Sequence, residues 1–119
     1  MPDRSPRHPT TAQKGRSGED RAAAFLAANG YRVIARNVRL PGGEIDAVCL
    51  DGVTLVVVEV KRRDTAGFGS ALAAVSARKR TTLRRIAADY AQVVAPNAKI
   101  RFDVVALDGD RLVLHRNAF

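Results

Sequence analysis

The sequence predicts an α/β domain whose elements run α-β-β-β-α-β-β. Three observations predict it. Two stretches, residues 17–28 and about 76–94, carry apolar residues at helical spacing. The remaining apolar runs are rich in Val, Ile and Leu and have the length of strands. Turn signals separate them: Pro41-Gly42-Gly43, Asp51-Gly52 and Asp108-Gly109-Asp110.

Residues 1–15 hold three prolines, several basic residues and almost nothing apolar, the composition of a disordered basic tail. A solvated tail and a loose phosphate-binding arm both fit it. Residues 16–119 then form a single domain. Ser17 reads as the N-cap of the first helix, with Asp20 three residues on in a weak capping-box pattern. That helix stops at Asn29-Gly30. Glu19 falls on its apolar stripe with Ala22, Ala23 and Leu26, an unexpected place for a carboxylate. It serves either a site or the helix dipole.

Tyr31 to Leu40 is the first strand, residues 44–50 the second and 53–61 the third. The run Leu55-Val56-Val57-Val58 suggests burial on both faces, as in a central strand. Arg62 to Gly69 is a polar loop, and the second helix starts near Ser76. Ile100 to Leu107 forms strand four; Arg111 to His115 is a short edge strand.

The 119 residues suit one compact core, and no apolar run approaches the ~20 residues that span a bilayer. No secretory h-region follows the basic N-terminus. The single Cys49 allows no internal disulfide, which agrees with a reducing cytoplasm. It reads as a small buried hydrophobe. One Cys and two isolated His give no zinc signature, so a metal here would be a hard ion held by oxygens, Mg²⁺ or Mn²⁺. The net charge of +8 favours a polyanionic partner, although 16 of the 20 basic residues are Arg, which coding bias also produces. The expected partner is nucleic acid, with no membrane.

The chemistry concentrates in Gly43-Glu44-Ile45-Asp46 and Glu59-Val60-Lys61. Charged groups rarely sit in such apolar runs unless paired or bound to metal. A two- or four-residue turn centred on Asp51-Gly52 sets Glu44 opposite Glu59 and Asp46 opposite Val57. Alternation then brings Glu44, Asp46, Glu59 and Lys61 to one face. Like charges across a strand pair destabilise it and raise one another's pKa unless a cation intervenes. A divalent ion among them could polarise a phosphodiester and activate water, with Lys61 orienting that water or neutralising developing charge. An ion-pair cluster of Lys61 with Glu59 or Asp46 at a solvated sheet edge is the other reading.

In the second helix Lys79 occupies an apolar stripe with Val75, Leu83, Ile86 and Tyr90. Either it reaches the carboxylates or a phosphate, or its stem packs while the ammonium reaches water. Lys79, Arg62, Arg63, Arg78 and Arg80 are the candidates for nucleic-acid contact. Asp103 reads as a local ion pair with Arg101 or another arginine.

With Glu19 on its helix, Gly43-Glu44-Ile45-Asp46 and Glu59-Val60-Lys61, the chain resembles the PD-(D/E)xK superfamily. From about Gly15 to Leu107 it resembles more closely the YraN-like family of small bacterial proteins. Gly18-Glu19, Gly30-Tyr31, Arg36-Asn37, Phe68-Gly69, Lys79 and Arg101-Phe102-Asp103 add to the likeness. Ile45 stands where the superfamily name has proline, a variable position. The resemblance implies a restriction-endonuclease-like α/β fold, with a mixed central sheet of about five strands flanked by helices. It also implies Asp46 and Glu59 as metal ligands, with the Val60 carbonyl and Glu19 assisting, and Lys61 as catalytic lysine. The expected function is a Mg²⁺- or Mn²⁺-dependent endonuclease acting on DNA, branched or damaged DNA included, with a homodimer as the candidate assembly. A non-catalytic nucleic-acid-binding module and a protein-interaction subunit are the rival expectations.

Overall fold

The computed structural model describes the backbone of residues 11–62 and 75–119, and the side chains of 18–62 and 75–119. Arg63 and Phe68-Gly69 therefore lie outside the described residues. The elements are α1 (Thr11–Ala28), β1 (Arg32–Leu40), β2 (Gly43–Asp51), β3 (Thr54–Arg62), α2 (Ala77–Val94), β4 (Ile100–Asp108) and β5 (Arg111–His115). Spatial order follows chain order, β1-β2-β3-β4-β5, so β3 is central and β5 is an edge. Among the described residues only the β3–β4 pair is parallel, and α2 lies in its crossover. This mixed sheet between helices is consistent with a restriction-endonuclease-like fold.

Local chemistry accounts for the boundaries. Ser76 caps α2, its hydroxyl accepting the Lys79 N–H at 3.1 Å. Gly30 (φ 88°) supplies the left-handed residue that ends α1. The helix starts at Thr11, six residues before the expected cap at Ser17. Ala12, Gln13 and Lys14 are strong helix formers and carry it upstream. Asp20 does not complete a capping box there; it accepts from Arg36 on β1 at 2.7 Å.

Each face of the sheet buries one core. Ala22, Leu26 and Tyr31 pack with Ala47, Cys49, Val56, Val58, Val105 and Leu107 on the α1 side. Leu83, Ile86, Ala87 and Ala91 pack with Ile45, Val48, Leu55 and Val57 on the α2 side. Cys49 is buried, as its apolar context predicts, and burial pushes its thiol up to about 11. Among the described residues no helix is long and apolar enough to cross a membrane.

Asp103 is fully buried and completely partnered. It accepts from the Tyr31 hydroxyl at 2.6 Å, from Nε and Nη2 of Arg101 at 3.0 Å each, and from the Asn117 N–H at 2.8 Å. The expected Arg101 pair is present, within a network that ties the chain after β5 to the sheet.

Candidate carboxylate site

The site begins with a turn. Gly52 (φ 61°) and Val53 join Asp51 to Thr54, which pair directly. The turn is one residue later than Asp51-Gly52, so the register differs by two from the expected one. Glu44 is therefore not opposite Glu59, nor Asp46 opposite Val57, which pairs with Val48. The described β2–β3 ladder ends at Ala47↔Val58. Continued one step, it would set Asp46 against Glu59.

Instead, the Asp46 side chain takes over. Its Oδ2 accepts the Val60 N–H at 2.8 Å, where a strand neighbour's carbonyl would otherwise bond. In an extended residue N–H and C=O point to the same edge, so the Val60 carbonyl also faces the Asp46 side. The alternation of β2 breaks at this level. Ile45 joins the α2-side core and Ala47 the α1-side core, although they are two residues apart. On β1, left-handed Asn37 (φ 52°) lies at the same level, between the pairs Arg36↔Ala47 and Val38↔Ile45. Asn tolerates this conformation better than most residues. Two distorted strands thus aim the Asp46 carboxylate away from the regular pleat.

Glu59 is 3% exposed and pairs through Oε1 with the Lys79 ammonium of α2 at 2.5 Å. Burial, then the adjoining Glu59 charge, pushes the Asp46 carboxyl up to about 7; the Val60 bond and Lys79 pull the other way. Burial lowers the Lys79 pKa, but the Glu59 bond and the charges of Glu59, Asp46 and Glu44 outweigh it and raise it.

Glu19 lines a cavity of about 150 Å³ with Asp46, Val60, Arg62 and Leu107. Thus α1 does bring a carboxylate toward Asp46. At Gly18 the helix lies close to the sheet: a Cβ there would lie 2.8 Å from Nη2 of Arg62 and 3.0 Å from Cδ1 of Leu107, side-chain ends that would have to shift. A glycine within a helical pattern was the available signal.

Alternation places Lys61 on the same side of β3 as Leu55, Val57 and Glu59. It is half-buried, and among the described residues no ion pair joins it to Asp46 or Glu59. The amine that the structure brings to the carboxylates is Lys79. Glu44 is exposed and lines a separate cleft of about 290 Å³ with Lys79 and Arg78. Arg80 donates from Nε to the Val75 carbonyl at 3.0 Å and stands 5.7 Å from the Phe119 ring centroid, so it is engaged locally.

Among the described residues no three Asp, Glu, His or Cys side chains form a ready metal cage. Mg²⁺ does not need one; it is commonly held by one or two carboxylates, water and substrate phosphates. Two adjoining carboxylates, one with its pKa raised by burial and by the other's charge, fit that requirement.

The model of the family described as "Uncharacterised protein family UPF0102" matches residues 18–107. A UPF0102 protein of Dechloromonas aromatica (strain RCB) is 46% identical over 112 residues, covering 92% of this chain and 91% of that protein. One of Shewanella amazonensis (strain ATCC BAA-1098 / SB2B) is 49% identical over 105 residues, covering 88% and 97%. One of Moorella thermoacetica (strain ATCC 39073 / JCM 9320) is 45% identical over 103 residues, covering 86% of each. The matched span contains Glu19, Asp46, Glu59, Lys61 and Lys79.

Proposed function

The chain belongs to the UPF0102 family, and from that premise we propose that it is a Mg²⁺- or Mn²⁺-dependent endonuclease that hydrolyses DNA phosphodiesters. The observation that carries the reading is the Asp46–Glu59 pair at the open end of the β2–β3 ladder. Two carboxylates adjoin there, and burial and mutual repulsion raise the pKa of Asp46. Such an arrangement stores a demand for a cation.

Asp46 and Glu59 would hold the metal, with the Val60 carbonyl beside them and Glu19 contributing directly or through water. The bound ion supplies Lewis acidity and a water of lowered pKa. Lys61 would hold that water in line or balance charge developing on the phosphate. Lys79, Arg62, Arg78 and Arg80, with Arg63 outside the described residues, would meet the phosphate backbone. The net charge of +8 supports a polyanionic substrate.

The test is a panel of linear, single-stranded, flapped and four-way-junction DNA incubated with Mg²⁺, Mn²⁺ or EDTA. Metal-dependent nicking is expected, falling at least ~10²-fold in Asp46→Asn and Glu59→Gln while DNA retention in gels persists. Equal nicking by wild type and Asp46→Asn would refute the assignment. The Lys79–Glu59 ion pair favours one second reading, a nucleic-acid-binding module of the same fold without turnover. It predicts salt-sensitive gel shifts and no cleavage with either metal.

A further inference from the structure

Among the described residues, α2 brings a cation to the carboxylates. Lys79 lies on the buried stripe of that helix with Leu83 and Ile86, and its ammonium turns inward to Oε1 of Glu59 at 2.5 Å. Glu59 is 3% exposed while the Lys79 side chain is 42% exposed. A simple packing role would send the ammonium to water. Here it turns toward a buried anion and also acts on Asp46 and Glu44.

We infer that Lys79 is the resident counter-cation of the carboxylate pair, exchanged for the divalent ion when the site is loaded. The inference rests on the proposed metal-dependent reading and adds a positioning residue to it. A buried carboxylate without a partner is costly, so Lys79 stabilises Glu59 in the metal-free protein. A dication at Asp46 and Glu59 repels an ammonium at the same place. Lys79 has somewhere to go. It sits in the first turn of α2 and lines the cleft of about 290 Å³ shared by Ser76, Arg78 and Gly43. Released there, it joins Arg78 and presents two cations to a phosphate. Loading the site therefore also assembles its phosphate-facing side.

Two measurements on the full chain test this, with Mn²⁺ or Mg²⁺ alone and no nucleic acid. Calorimetry compares Mn²⁺ binding by wild type and Lys79→Met, which keeps an apolar stem without the charge. Removing the competing cation should tighten Mn²⁺ binding about tenfold. The second measurement needs no variant: acetic anhydride labelling of the wild type, read by mass spectrometry. Lys79 should become more reactive on adding Mg²⁺, while Lys99, outside the site, stays constant. Wild type that binds Mn²⁺ as tightly as Lys79→Met, with Lys79 labelling unchanged by Mg²⁺, overturns the exchange and leaves the metal site standing. No Mn²⁺ uptake by either protein overturns the metal reading and the exchange together.

Discussion

Two aspartates flank the same residue of the central strand, and the sheet treats them in opposite ways. Asp103 pairs with Val58 from β4; Asp46 adjoins Ala47, which pairs with Val58 from β2. Asp103 is fully buried, bonded twice by a guanidinium, and further held by a phenol and a backbone N–H. Asp46 is half-buried, takes one backbone N–H and adjoins another carboxylate. Burial alone does not mark a functional acid. What separates the two is that a cation bonds Asp103 directly, whereas Lys79 bonds Glu59 and acts on Asp46 only across it.

The largest effect should come from the satisfied aspartate. Asp103→Ala takes an acceptor from the Tyr31 hydroxyl, the Asn117 N–H and two Arg101 donors, although Arg101 keeps its pair with Asp51 at 2.9 Å, and should cost about 3 kcal/mol in urea unfolding. A loss under ~1 kcal/mol would erase the contrast. Asp46→Asn should behave in the other direction. A folded-state pKa raised from the usual 3.8 to about 7 means that the folded protein binds the proton more tightly than the unfolded chain. That contribution is present in full below about pH 4 and is lost as pH rises through 7. In EDTA, therefore, Asp46→Asn should melt with wild type at pH 4 and ~5 °C above it at pH 8, for a gain of about 1 kcal/mol. A variant less stable than wild type at pH 8 would show that Asp46 is as structural as Asp103.

The smallest effect sharpens the geometry between them. Asn37 is left-handed opposite the level of Asp46. Asn37→Gly should leave stability within ~0.5 kcal/mol, whereas β-branched Asn37→Val should lose about 1–2 kcal/mol. If the two variants have equal midpoints, β1 does not depend on that conformation.

The order of elements was legible because its signals are local. Ser76 marks the start of α2, Asn29-Gly30 the end of α1, and the Leu55–Val58 run the central strand. The identity of the carboxylate region was legible because Asp46 and Glu59 interrupt apolar runs. Lys79 stood out for the same reason, as a charge on a buried stripe. The register was not legible. Asp51-Gly52 reads as a turn, but Asp51 pairs with Thr54, and the turn takes Val53, which is 89% exposed. Nothing in the sequence marks that valine as solvent-facing. The network around Asp103 joins Tyr31, Arg101 and Asn117, up to 86 positions apart. Contacts of that range appear only once the sheet has formed. The broken alternation at Asp46 escaped for a related reason. It depends on Asn37 in the neighbouring strand, whose backbone angle follows from the pairing.

The left-handed residue in β1 has a consequence for the rim of the sheet. β1 is an outermost strand, and among the described residues no strand pairs with its far side. An incoming strand that follows it from Arg32 meets an interrupted hydrogen-bonding line at Asn37. Exposed Arg32 and Arg39 add mutual charge repulsion between like copies. The kink beside Asp46 thereby also makes this border a poorer template for an added strand.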